Sequence, residues 1–432
     1  MITQVKKQNL YEELFQKSFS QSTQPAWLKD LRLKAFEYFS QNGFPTPEDE
    51  EWKYTNTAPI TREQFSLSVE KKPSTQLENL IYKETQRSYL VFFNGQFIRE
   101  LSNLEAASNI EIFSFSEALK TNNEILEEKL TKQVQYQRNG FTALNTAFIE
   151  NGLFLHIPEN QKVSVPIQIL FVSTENVIAT PRILILVAKG AEATLIESYL
   201  RSEQARYFTN AVIEISLEDR ATLKHHRIQR ESHNAFHITT TDVEIGEESI
   251  YDSTNITLGA KWSRHEISAK FTKEKAEVFV DGLYLTSGEQ FADTHSVIDH
   301  LHPNCKSRQN YKGIVDGKSR VVFNGKIFVR EGAKGTDAHQ SNKNLLLSSN
   351  ARIDTKPQLE IFNDDVQCSH GATVGQLEEE EIFYLMSRGL PASLAKNLLT
   401  YGFAEEIINK IELESVKATL DEALLNRLSV RL

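Results

Sequence analysis

Between Pro181 and Pro303 the chain contains no proline at all. Over that stretch, β-branched and aromatic runs recur between turn-like breaks: Ile183–Ala188, Ala193–Tyr199, Phe208–Ile215, Thr222–Ile228, Phe236–Val243 and Ile250–Ile256. Proline cannot donate a backbone N–H, so a long proline-free tract suits strands that are hydrogen-bonded on both sides. The pattern continues through Val278–Leu285, Arg320–Val329 and Leu345–Leu347. Residues 141–375 are therefore predicted to form one all-β block. It exceeds a single sandwich of about 100 residues, while the pattern leaves sandwich, barrel and solenoid open.

Helical segments flank this block. Leu28, Leu31, Ala35 and Tyr38 recur at three- and four-residue steps, which predicts a helix from about Ala26 to Gln41, stopped by Gly43 and Pro45. The acidic run Glu48-Asp49-Glu50-Glu51 reads as a solvated face. Tyr89–Phe97 and Ile110–Phe115 read as short strands separated by the turn signal Asn94-Gly95, and Glu117–Gln137 as polar helix. Beyond the block, Glu378–Glu381 place carboxylates at a helix start, where the macrodipole favours them. That helix should end at Arg388-Gly389. Pro391 should open the next as its first residue, and Gly402 should close it. Ile407, Ile408, Ile411, Val416, Leu420, Leu424 and Leu428 trace further amphipathic helices whose apolar faces need cover from the β block, from one another or from a partner. Packing within the chain is the simplest expectation. The predicted regions are residues 1–140, 141–375 and 376–432.

Composition removes several function classes. A net charge of −10 argues against gripping nucleic-acid phosphates. No apolar run approaches the roughly 20 residues that span a membrane. Lys6 and Lys7 are not followed by the apolar segment of a signal peptide, so a soluble, cytoplasmic protein is expected. Two cysteines, Cys305 and Cys368, exclude a disulfide scaffold and any four-cysteine cluster within one chain. Gly313-Ile314-Val315-Asp316-Gly317-Lys318-Ser319 has three residues between its glycines where a phosphate-wrapping loop needs four, and a strand-like run follows. It reads as a hairpin turn, and no nucleotide is expected to bind this chain.

Histidines gather twice. His225, His226, His233 and His237 fall within one apparent hairpin. His295, His300, His302 and Cys305, with Asp293 and Asp299, offer metal-ligand types without an established zinc spacing. The most informative segment is Asp364-Asp365-Val366-Gln367-Cys368-Ser369-His370-Gly371. In a strand, side chains alternate, so Cys368 and His370 share one face and Ser369 points away. A thiol beside an imidazole suits either a nucleophile–base pair or two metal ligands, against the plain alternative of a buried cysteine beside a structural histidine.

Cys368-Ser369-His370-Gly371-Ala372-Thr373, followed by Phe383-Tyr384-Leu385-Met386-Ser387-Arg388-Gly389 and Tyr401-Gly402-Phe403, closely resembles the C-terminal signature of the SufB/SufD family, scaffold subunits of the SUF iron–sulfur cluster assembly machinery. Trp52-Lys53-Tyr54-Thr55, Gly325-Lys326-Ile327 and Asn344-Leu345-Leu346-Leu347-Ser348 agree, so the likeness runs from about Pro45 to the C-terminus. The SufD branch fits better, because SufB-type chains are generally longer, usually carry Glu where this chain has Gly371, and tend to have more cysteines. The resemblance implies a mainly β protein, a right-handed parallel β-helix core between N-terminal and C-terminal helical regions. It also implies a SufB–SufD heterodimer joined through the β-helices, with the ATPase SufC docked on the C-terminal helices, which would give their apolar faces a partner rather than cover at home. On the matching positions, His370 and then Cys368 would hold a transient iron–sulfur cluster shared with the partner chain. Such a cluster takes about four ligands, more than this chain offers together. A homodimer of the isolated chain is compatible. The competing reading is a β-helix enzyme acting on acidic polysaccharide; a hexapeptide-repeat acyltransferase lacks its repeat here.

Overall fold

The computed structural model describes residues 2–20, 24–67, 77–150, 152–174, 176–200 and 204–428; Met1 and residues 429–432, the ends of the two outer regions, lie outside them. Successive strands of the β block alternate between two sheets. One, here the first sheet, stacks Ile167–Val172, Glu192–Leu200, Thr222–Arg230, Ile250–Thr257, Glu277–Thr286, Lys306–Val315, Thr336–Leu346 and Val366–Gly375. The other, the second sheet, stacks Leu153–Ile157, Arg182–Val187, Phe208–Leu217, Phe236–Ile245, Trp262–Phe271, Phe291–His300, Arg320–Val329 and Arg352–Ile361. All these neighbours pair in parallel, giving a β-solenoid of about eight turns. Each turn climbs one rung, and the rungs differ in length: Phe236 pairs with Trp262, whereas Arg320 pairs with the more distant Arg352.

Alternation decides what each strand contributes. Leu195, Leu223, Tyr251 and Val278 from the first sheet meet Ile213, Ile245, Phe271 and Val329 from the second in one continuous core. The outward row of the second sheet, Phe208, Phe236 and Trp262, is buried under the helices Ile2–Ser20, Ala26–Asn42 and Gly140–Ala147 through Phe15, Phe36, Phe39 and Phe141. The Ala26–Asn42 helix ends as expected. Gly43 takes φ 65 and donates its N–H to Phe39 O at 2.7 Å.

The structure revises several local expectations. Asn94 and Gly95, both at positive φ, make a tight turn inside Tyr89–Phe97, splitting it into a hairpin of Tyr89–Phe93 and Gln96–Phe97. The Asp316-Gly317 turn joins Lys306–Val315 to Arg320–Val329 in the other sheet, so it is a solenoid corner and not a hairpin. The same holds for the segment carrying His225 and His237. Pro391 caps its helix from outside. That helix runs on through Gly402 to Ile408, because Ala404, Ile407 and Ile408 are buried beyond the glycine and outweigh its cost of about 1 kcal/mol.

The largest revision concerns the C-terminal helices. Ile407, Ile408, Ile411, Val416, Leu420 and Leu424 pack on Ile196, Ile228, Ile256, Leu283 and Ile314, on the outward face of the first sheet. Their apolar face is covered at home, against the expectation drawn from the resemblance. Among the described residues, no helix is long and apolar enough to cross a membrane.

Candidate functional site

Val366–Gly375 is the last rung of the first sheet. In register, Ala338 lies beside Cys368, His339 beside Ser369 and Gln340 beside His370. Ala338 and Gln340 belong to the inward rows and are buried, so Cys368 and His370 continue those rows while Ser369 points outward. The outward position is occupied as alternation requires: Ser369 Oγ hydrogen-bonds His339 Nδ1, and His339 Nε2 pairs with Asp337 at 2.9 Å. Because no further turn covers this end among the described residues, His370 is exposed and Cys368 half-buried against the core. Burial pushes the Cys368 thiol up from its ordinary value, so a metal would have to displace its proton.

A polar column descends from this site inside the solenoid. The row below His370 runs through Gln340, Gln309, Val280, Ser253 and His225. Gln340 Nε2 donates to Gln309 Oε1, and Gln309 Nε2 donates across to Ser296 Oγ on the second sheet. Gln340 is 3 % exposed, yet its Oε1 has no partner among the described residues. A buried carbonyl left so costs about 1–3 kcal/mol, and its neighbour on the open side is an imidazole able to donate an N–H. Sequence reading missed Gln340 because a full rung of chain separates it from His370, and only the rung length brings them together.

The second histidine group disperses. His295 and His300 stand at an odd spacing on one strand, so they face opposite sides. His300 points inward to Ser307 Oγ at 2.9 Å, and burial lowers its pKa to about 3. Cys305 is buried in the core at a corner. His302 lies beyond the strand's end. The first group disperses similarly. His225 bonds Glu197 at 2.7 Å inside the solenoid, while burial lowers the outward His226 to about 4. Among the described residues no group of three or more His, Cys, Asp or Glu side chains could hold a metal ion. Cys368 and His370 are two such side chains, short of a group of three.

His295 instead fastens the N-terminal region. It pairs with Asp293 at 3.2 Å and with Glu51 at 3.4 Å. Arg264 lies 3.8 Å from the Trp52 ring centroid, and Thr55 Oγ1 donates to Asp293 at 2.5 Å. The Trp52-Lys53-Tyr54-Thr55 motif is thus a clamp onto the second sheet. Glu48, Asp49 and Glu50 are exposed as expected, but Glu51, half-exposed, is engaged. Its hydrogen bond to His295 outweighs partial burial and holds its carboxyl at about 2. A separate apolar patch stands on the Glu379–Ser387 helix and the one after it, where Phe383, Tyr384, Met386 and Leu398 are exposed, Phe383 by 73 %.

Comparison with known proteins gives this geometry a setting. Residues 170–403 match the family described as SUF system FeS cluster assembly, SufBD core domain, and residues 4–169 match the SufBD protein N-terminal region. The chain is 36% identical to an iron–sulfur cluster assembly SufBD family protein of Synechocystis sp., covering 96% of this chain and 94% of the relative. It is 31% identical to the iron–sulfur cluster assembly protein SufD of Escherichia coli, over 87% and 88% of the two chains. With SufD of Bacillus subtilis the identity is 29%, over 95% and 96%.

Proposed function

The chain belongs to the SufBD family of SUF-system iron–sulfur cluster assembly proteins, as a SufD-type subunit, and from this we propose that it is a non-catalytic scaffold, working in the cytoplasm, on which a nascent cluster is built jointly with a SufB-type partner. The observation that carries the proposal is the placement of Cys368 and His370 on the inward rows of an uncovered last turn. A cluster, the cargo here, takes about four thiolate or imidazole ligands. Two from this chain leave two for a chain whose own solenoid closes this end. His370 is the better ligand, being exposed; Cys368 is the second. Gln340 Oε1 would accept the N–H of one imidazole nitrogen and so leave the other free to bind iron, as a metal-bound histidine's partner does.

An ATPase subunit would dock on the C-terminal region, supported by the exposed Phe383, Tyr384, Met386 and Leu398. It would use this patch and not the apolar face of the last two helices, which is already covered. The test is His370→Ala in the co-expressed SufB-type, SufD-type and SufC-type complex. The complex should assemble at normal yield and lose cluster formation, read from the visible absorption of reconstituted material. Normal cluster build-up on that variant overturns the assignment.

A further inference from the structure

Far from the open end, a cavity of about 560 Å³ lies between the segment Asn79–Lys83, the first sheet and the last helix, Glu414–Arg427. Its size falls within the range of small-ligand sites, about 300–1,000 Å³. Two guanidinium groups line it. Arg427 donates to Leu285 O at 2.5 Å, to Gln290 Oε1 at 3.3 Å and to Leu258 O, all uncharged acceptors. Arg230, at the end of its strand, forms no side-chain hydrogen bond or ion pair among the described residues. Lys83 adds a third positive group at the rim.

The carboxylates do not balance these charges. Glu231 borders the cavity, but its carboxylate is turned to His237 at 2.7 Å, Gln229 at 2.9 Å and Thr209 at 2.9 Å. Glu422 is, among the described residues, the one lining carboxylate without a side-chain partner. The two arginines therefore line one partly dry space in which, among the described residues, Glu422 is the one carboxylate left to oppose them. Burial, and then Arg230 itself, lower the Arg427 pKa to about 10. Leu80, Tyr82 and Leu258 supply apolar wall, beside the polar Asn79, His233, Ser415 and Asn426. Guanidinium forks left without carboxylates bind phosphate or carboxylate groups in charge-assisted, often bidentate fashion.

We propose that this cavity binds a small organic anion, with Arg230 and Arg427 on a phosphate or carboxylate head and Leu80, Tyr82 and Leu258 around an apolar body. The site is separate from Cys368 and His370, and its occupancy does not depend on how a cluster is built. It would tie the last helix to the segment Asn79–Lys83, which already meet through Lys83 N–H and Ser415 Oγ at 3.1 Å.

Isothermal titration of the full chain tests this with 1-naphthyl phosphate, 1-naphthoate, inorganic phosphate and 1-naphthol. One or both of the first two should saturate a single site per chain at least about tenfold more tightly than inorganic phosphate or 1-naphthol; which of them does so identifies the head group. Arg230→Gln should weaken binding about tenfold with an unchanged circular dichroism spectrum. Glu422→Gln, which removes the opposing charge, should strengthen it about twofold. The proposal fails if neither naphthyl anion saturates, if whole and parts bind alike, or if both variants bind like the parent chain.

Discussion

The two ends of the solenoid are built on opposite plans. At the first turn, Tyr89–Phe93 adds a parallel strand to Ile167–Val172, and Gln96–Phe97 folds back on it. Glu111–Ser114 closes the second sheet with an antiparallel strand on Leu153–Ile157. Phe92 stacks on Phe171, and Phe171 on Tyr199 at 4.2 Å, so the cap is wedged into the core. At the last turn no strand follows among the described residues. Ile361, Phe362 and Val374 stand exposed by 41–56 %, and the inward-facing Ile353 and Leu359 are only partly buried.

The last turn itself is uneven, and that unevenness is informative. Its second-sheet strand, Arg352–Ile361, carries Arg352, Asp354, Lys356, Pro357 and Glu360, the charges and proline that blunt an exposed edge. Its first-sheet strand, Val366–Gly375, has no charged residue and no proline among its ten. An unprotected long edge invites another strand, and this one carries Cys368 and His370. The capped end closes both sheets; the open end leaves an edge that another strand could extend.

The sharpest way to break this contrast is at the cap. Phe92→Ala removes a fully buried ring and should cost about 3–5 kcal/mol in denaturant unfolding; a cost below about 1 kcal/mol would mean that the cap is ornamental. Next comes the open end. Phe362→Asp together with Val374→Asp should change the stability of the isolated chain by no more than about 0.5 kcal/mol. It should nevertheless weaken association with a SufB-type partner by about a hundredfold or more in a co-purification or titration. Equal losses at both ends would erase the distinction.

A smaller effect is expected at Gln340. Gln340→Leu should slow cluster formation about tenfold at a stability cost of about 1 kcal/mol, while Gln340→Glu, which keeps an acceptor for His370, should recover most of the rate. Equal impairment by both would assign Gln340 to packing alone. The smallest effect is a control placed between the ends. Glu51→Gln should leave partner affinity unchanged and cost under about 1 kcal/mol, because half of Glu51 is in water. The sign follows from the two partners. Glu51, held at about 2, contributes above the unfolded carboxylate value and loses that contribution as pH falls through about 2. His295 is raised, since Asp293 and Glu51 prevail over burial and Arg264; it contributes below its unfolded value of about 6.5 and loses this as pH rises through its folded value. The penalty of Glu51→Gln should therefore peak between about pH 4.5 and 6.5 in pH-dependent unfolding.

Legibility in the sequence tracked what faces what. Strands such as Phe208–Leu217 and Glu277–Thr286 were apparent from their apolar runs. Trp262–Phe271, Phe291–His300, Lys306–Val315 and Arg352–Ile361 were not, because Arg264, Glu266, Asp293 and His295 satisfy one another on the outer face and Gln309 and Ser296 do so within. Buried polar residues that pair across rungs resemble loop composition when read locally. The clamp at Trp52 was visible as a motif, but its partners Arg264 and Asp293 lie on the far side of half the solenoid's chain, beyond any local reading.

The amino-acid sequence alone determined a β block with a long proline-free tract between helical regions, the family signature, and the shared face of Cys368 and His370, because strand alternation is a local, two-residue rule. The tertiary structure decided the rest: two sheets, one capped end and one open end, the C-terminal helices folded home, Gln340 beneath His370, and two arginines lining one cavity. Those relations join residues one rung or more apart, and the rungs are unequal, as the pairings of Phe236 with Trp262 and of Arg320 with Arg352 show. No fixed period in the chain announces them, and only the closed hydrogen-bond ladders bring the partners together.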